Sequence, residues 1–249
     1  MSELLAVYNK QVTINSRDVD GKGHCRASAL LCYLQDASAE HSSLCGCGRR
    51  ELMEQFNVFW MLTRISVELK RPIRWLEQLT IRTWHRGGKG ILVYRDYDLL
   101  VGDELVGEAT ALWVLPNMLT KKLLNTKLVQ IPALNETANG LPPKKQKLTA
   151  LHTPETMTEV EQRPMRYSDT DVNGHVNNTR YADFCCDAAR MEQLPGSAYL
   201  ASIEITYHEE CMAGETLTIS KADVDGAICI HGASADGEAR FDGRLTFRI

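Results

Sequence analysis

No stretch of the chain approaches the roughly 18 consecutive apolar residues of a membrane-spanning helix, so no membrane association is expected. A basic excess is also missing. Lys and Arg number 28 against 32 Asp and Glu, a formal net charge of -4. A protein built chiefly to hold nucleic acid carries the opposite balance, so no nucleic-acid partner is expected. The first residues, Met1-Ser-Glu-Leu-Leu-Ala-Val-Tyr8, lack the basic stretch and apolar run of a secretory leader, and the expected location is cytoplasmic. The eight cysteines include no Cys-x-x-Cys pair of the kind that builds zinc sites. A chain of 249 residues with 44% apolar residues has core enough to do without disulfide staples. Arg86-Gly-Gly-Lys-Gly90 lacks the Walker spacing of a phosphate loop and sits between two strand patterns, so it reads as a hairpin turn.

What is present is a duplication. Tyr167-Ser-Asp-Thr-Asp-Val-Asn-Gly-His-Val-Asn-Asn-Thr-Arg-Tyr181 places Asp171, Asn173 and His175 at alternate positions just before a helix start. Arg17-Asp-Val-Asp-Gly-Lys-Gly-His-Cys-Arg-Ala-Ser-Ala29 is a weaker echo. At one fixed offset Asp18, Asp20, Gly23, His24, Asp36 and Ala37 meet Asp169, Asp171, Gly174, His175, Asp187 and Ala188. At a second fixed offset the strand patterns meet: Ile65, Val67 and Leu69 with Ile203, Ile205 and Tyr207, and Glu77-Gln-Leu-Thr-Ile81 with Glu215-Thr-Leu-Thr-Ile219. Each copy reads as a polar loop, a helix and then alternating strands. Ser28 caps the first helix, which runs to about Cys45; Asn178 or Thr179 caps the second, which carries Tyr181, Phe184, Cys185, Ala188 and Met191. Strands in close succession favour an antiparallel sheet. The fold class is therefore α+β, two tandem layers of one long helix on a curved antiparallel sheet of about five strands. The expected organisation is an N-terminal domain over 1–130, a linker over 131–161 and a C-terminal domain over 162–249.

Four separated segments carry a resemblance. Asp171-Val-Asn-Gly-His-Val-Asn-Asn-Thr-Arg-Tyr181, Val58-Phe-Trp-Met-Leu-Thr-Arg-Ile65, Ala111-Leu-Trp-Val-Leu-Pro-Asn-Met-Leu-Thr-Lys-Lys122 and Tyr207-His-Glu-Glu-Cys211 resemble, in order, signatures of the acyl-ACP thioesterases of plants and bacteria. The resemblance implies two tandem hotdog domains, each a helix wrapped by an antiparallel sheet. It implies hydrolysis of the thioester between a fatty acyl chain and acyl carrier protein, with no metal or cofactor. The catalytic residues it implies are Asp171, Asn173, His175 and Glu210, while Cys211 stands where family members often have a cysteine once regarded as a nucleophile.

Thioester hydrolysis needs a proton acceptor for water and donors for the developing oxyanion. Glu210 is expected as a buried general base, His175 as its proton relay, Asn173 as a donor to the carbonyl or the water, and Asp171 as the residue that fixes the loop. In the first copy Lys22 replaces Asn173 and Pro72 replaces Glu210, so that half is expected to be silent and to hold the acyl chain with its first helix, Trp60 and Met61. A Cys211 thiol nucleophile is the lesser alternative to water. Rival activities are acyl-CoA hydrolysis, dehydration of a 3-hydroxyacyl substrate and non-catalytic acyl binding. The carrier is acidic and its 4'-phosphopantetheine arm carries a phosphate, so a basic docking face is expected. Its candidates are Lys70, Arg71 and Arg74; Lys121 with Lys122; and Lys144, Lys145 and Lys147. Tandem hotdogs can satisfy their pairing within one chain and can still form a homodimer.

Overall fold

The computed structural model describes residues 6–128 and 143–249. Alternating apolar residues give strands with one face to cover, and the chain covers that face with two helices. The first half contains β1 (Tyr8–Thr13), α1 (Ala27–Leu44), α2 (Arg49–Phe56), β2 (Met61–Leu69), β3 (Gln78–Lys89), β4 (Leu92–Val101) and β5 (Glu104–Val114). The second contains β6 (Thr158–Pro164), α3 (Arg180–Ala188), β7 (Tyr199–Tyr207), β8 (Thr216–Val224), β9 (Ala227–Ala233) and β10 (Ala239–Arg248). Among the described residues no helix is long and apolar enough to cross a membrane.

All the strands join one antiparallel sheet in the order β1-β3-β4-β5-β2-β7-β10-β9-β8-β6. With β6 to β10 read as copies of β1 to β5, this order is a palindrome. Its centre is the β2–β7 pair, where Ser66 faces Glu204, Ile65 faces Ile205 and Val67 faces Ile203. Each of these residues thus pairs with the second copy of its mirror position, as in an isologous dimer interface. The duplication has become a dimer inside one chain, and the hotdog pairing is satisfied within it. One apolar core runs through both halves, with Leu31, Leu34 and Val67 joined to Tyr181, Phe184 and Ile203.

Several details differ from the sequence reading. Helix α1 begins at Ala27 with Arg26 as its cap residue, because the Arg26 carbonyl already accepts from Leu30 N–H; Ser28 is buried in the first turn. Helix α3 has 9 residues against 18 in α1, and Arg190, at φ 57°, turns the chain before Met191. Strand β3 runs through Arg86 to Lys89 with a register shift between His85 and Gly88, so the turn falls beyond Lys89. The short helix α2 was not anticipated.

Of the expected linker, 131–142 lies outside the described residues. Its later part crosses the sheet. Lys144 pairs with Asp98 and Glu108, Lys145 with Glu68 and Glu204, Leu148 carbonyl accepts from Arg64, and Leu151 N–H donates to Thr206 Oγ1. Strand β6 then starts at Thr158, inside that expected linker, because its pairing with β8 begins there.

Candidate active site

The loop before α3 is built by its own polar groups. A 3-10 turn, Tyr167–Asp169, is closed by Asp169 Oδ2 accepting from Arg166 N–H at 2.8 Å. Asp171 Oδ1 accepts from Asn173 N–H at 2.8 Å, an Asx turn. Asp171 N–H donates to the His175 carbonyl at 2.9 Å, with Gly174 at φ 79° supplying the reversal. Val176 N–H then donates to the Cys211 carbonyl at 2.8 Å, which lays the loop beside the segment after β7. The result is an imidazole against a carboxylate: His175 Nδ1 lies 3.2 Å from Glu210 Oε1. Asn177 Oδ1 accepts from both the amide and the hydroxyl of Thr179, the residue just before α3, which begins at Arg180, five residues after His175.

The first copy repeats this scaffold bond for bond. Asp20 Oδ1 accepts from Lys22 N–H at 2.8 Å, Asp20 N–H donates to the His24 carbonyl at 2.9 Å, and Cys25 N–H donates to the Ile73 carbonyl at 2.7 Å. It differs in its side chains. Pro72 occupies the Glu210 position, and the Lys22 ammonium reaches away to the carbonyls of Leu194, Pro195 and Ala198.

The structure thus sets His175 against Glu210, with Asp171 and Asn173 in the loop that carries His175 and Asp171 accepting from the Asn173 backbone amide. One expectation about them fails. Glu210 follows the end of β7, and its side chain is 56% exposed rather than buried; that of His175 is 31% exposed. Tyr167, Val172 and Met212 form an exposed apolar rim around them. Cys211 does not join the group. Its side chain is fully buried in the core, burial pushes its thiol up, and its carbonyl accepts from Val176 N–H.

Trp60 packs into a core, and Met61 pairs with Val114 where β2 meets β5. The Trp60 indole donates to the Cys47 carbonyl at 2.8 Å and stacks on His85, within a small core beneath α2. A register shift between Leu62 and Arg64 turns Leu62 inward instead. Leu62, Leu31, Leu34, Ile65, Tyr97 and Trp113 line a narrow hollow of about 10 Å³ that reaches Asn178 and Thr179 at the start of α3. Leu62, Tyr97 and Asn177 are the residues that sequence reasoning missed. Alternation in β2 and β4 could have suggested the first two, and the Asn-Asn-Thr run before α3 the third. A larger cleft, of about 410 Å³, opens beside the silent loop and is lined by Lys22, His24, Leu69 and Leu200.

Two helix-on-sheet halves paired across an internal pseudo-dyad define a tandem hotdog protein, and among the described residues only one of its two twin loops sets an imidazole against a carboxylate. The chain belongs to the acyl-ACP thioesterase family: residues 6–127 match the model of the acyl-ACP thioesterase N-terminal domain and residues 152–248 that of the C-terminal domain. Among curated relatives, the chloroplastic palmitoyl-acyl carrier protein thioesterase of Gossypium hirsutum is 26% identical over 246 residues, covering 89% of this chain and 57% of that protein. The chloroplastic oleoyl-acyl carrier protein thioesterase of Coriandrum sativum is 26% identical over 263 residues, covering 94% and 70%. The chain therefore spans little more than half the length of some curated relatives it matches. The crystal structure of an acyl-ACP thioesterase from Bacteroides thetaiotaomicron is similar in fold, with a TM-score of 0.85 at 22% identity and complete coverage of both chains. The 12:0-ACP thioesterase from Umbellularia californica is similar at a TM-score of 0.83 and 20% identity, covering 100% of this chain and 99% of that one.

Proposed function

We propose that the protein hydrolyses the thioester of fatty acyl–acyl carrier protein, releasing a free fatty acid and the carrier thiol. The observation that carries this reading is the His175–Glu210 pair at 3.2 Å, present in one loop and absent from its twin. Water beside the pair loses a proton to Glu210, with His175 relaying it, and the oxygen attacks the thioester carbonyl. The developing oxyanion accepts from the Asn173 side-chain amide, and the start of α3 favours the same negative charge. Collapse breaks the carbon–sulfur bond, and the proton returns to the leaving thiolate. General acid–base help of this kind supplies about 10²–10⁴ in rate. Asp171 acts by holding the loop at Asn173, accepting from its backbone N–H at 2.8 Å.

The first half then serves as the acyl-binding domain of residues 1–130. The apolar side chains facing the start of α3, Leu31, Leu34, Leu62, Ile65 and Tyr97, all come from that half, and the space of about 10 Å³ between them takes an acyl chain only when they move apart. Lys144 and Lys145 are paired with carboxylates, as is Arg71 with Glu77 and Glu104, which removes them as docking cations. Lys70, Arg74, Lys121 and Lys122 stay exposed for an acidic carrier. The test is a release assay on acyl-ACPs of graded length, with acyl-CoA and 3-hydroxyacyl-ACP as controls. Fatty acid release from acyl-ACP at least about tenfold faster than from acyl-CoA supports the reading. Faster release from acyl-CoA, or loss of water from the hydroxyacyl substrate with its thioester intact, sinks it.

A further inference from the structure

The cleft of about 410 Å³ beside the silent loop is of ordinary size for a small-molecule site. It is the pseudo-dyad counterpart of the space beside His175, since it lies between the loop carrying His24 and the helix of the other half. Its floor is apolar, formed by Leu30, Leu31, Leu69, Ile73, Leu200 and Ile203. At its polar end the His24 side chain is about nine-tenths buried, and its ring makes no hydrogen bond among the described residues.

The two substitutions that silenced this copy also changed its charge in one direction. Replacing Glu210 by Pro72 removes a negative charge, and replacing Asn173 by Lys22 adds a positive one. At the working loop a free carboxylate faces the Glu210 carboxylate and is repelled; at the silent loop that repulsion is gone. Three of the remaining acids of the cleft meet cations: Asp183 pairs with Arg180, Asp187 with Arg163 and Glu192 with Arg190, while Asp20 accepts only from the backbone amides of Lys22 and His24 and keeps its negative charge beside the imidazole. The bases are not offset in the same way. Lys22 is bonded to three neutral carbonyls and Arg26 to the Arg17 carbonyl, so their charges meet no carboxylate there. An apolar trough that ends in a buried imidazole, with the two cations Lys22 and Arg26 against the single unpaired acid Asp20, suits an aliphatic chain with an anionic head.

We propose that the silent cleft is a binding site for a free fatty acid, with the tail along α1 and β7 and the carboxylate at His24. The choice of an acyl ligand rests on the function proposed above. It makes the degenerate half a site for the class of product that its twin releases.

The test is equilibrium dialysis of the full chain with radiolabelled decanoate, with folding checked by circular dichroism. A His175→Ala/Glu210→Gln double variant is expected to keep wild-type affinity. Leu200→Trp, which fills the trough, is expected to weaken binding at least about tenfold. His24→Ala, a milder change, is expected to weaken decanoate while leaving decanol binding as it was. Loss of binding in the double variant, or unchanged decanoate affinity in the folded cleft variants, overturns the proposal. Displacement of the label by decanoyl-ACP from the double variant also overturns it, by reassigning the cleft to a carrier-bound chain. Turnover of acyl-ACP is read separately: wild-type protein that binds decanoate without turnover sinks the hydrolase reading alone, and the reverse outcome sinks this site alone.

Discussion

Glu210→Gln keeps the size of the side chain and removes its capacity to take a proton. The pair it forms with His175 is partly exposed, with side-chain exposures of 31% and 56%. Exposed ion pairs contribute under about 1 kcal/mol, and the change touches no core residue. Stability should therefore stay within about 1 kcal/mol of the wild type. Catalysis should not. Losing general-base help costs about 10²–10⁴ in rate, which is about 3–5 kcal/mol of barrier at 1.36 kcal/mol per decade. The two magnitudes separate the roles of the residue: a large kinetic loss with a small thermodynamic one. The assay is kcat/KM for fatty acid release from acyl-ACP, beside a thermal melt of the same protein. Turnover within about threefold of wild type, with the fold intact, would refute the base assignment. A fall in activity matched by a fall in folded protein would show that the carboxylate was structural.

Cys211→Ala should behave in the opposite way, losing about 1 kcal/mol or more because its side chain is fully buried, with kcat retained in the folded fraction. A kcat loss near that of Glu210→Gln would restore the thiol nucleophile. Acid should destabilise the first half through His85. Burial is the main force holding its protonation well below the usual histidine range, with the Arg95 guanidinium second. The unfolded chain binds that proton near pH 6.5 and the folded one resists it, so stability is full above about pH 6.5 and falls below it, by at most about 1.4 kcal/mol per pH unit for one group. Urea midpoints from pH 8 to pH 5 read this slope, and His85→Phe should flatten it; a flat wild-type profile contradicts the assignment. Docking on exposed cations predicts that kcat/KM on acyl-ACP falls several-fold from low to physiological salt, and that Lys121→Glu/Lys122→Glu lowers it further with kcat kept. A salt-independent rate would argue against an electrostatic face.

Much of this architecture was legible because duplication writes the same pattern twice. The Asp-x-Asn-x-His loop is local: the hydrogen bonds of Asp171 reach only two to four residues, so spacing alone specifies them. The β2 and β7 strands were legible because one face of each is buried and period-two alternation follows. What depends on distant partners was not. The β2 register shift decides whether Met61 or Leu62 shares the inward face of Ile65, and neither residue type announces it. Lys144 and Lys145 look like a free basic cluster until the sheet supplies Glu108 and Glu204 beneath them. The burial expected for Glu210 came from the chemistry it would need, whereas its exposure follows from where β7 ends. The silent cleft is a space between two helices that only packing creates.

The central claim is that two loops with one scaffold carry one active site between them. It is tested most directly by kcat/KM on acyl-ACP for the matched variants His24→Ala and His175→Ala, purified and shown to fold. The account predicts that the second loses at least about a hundredfold more activity than the first. Equal losses at the two histidines would contradict it.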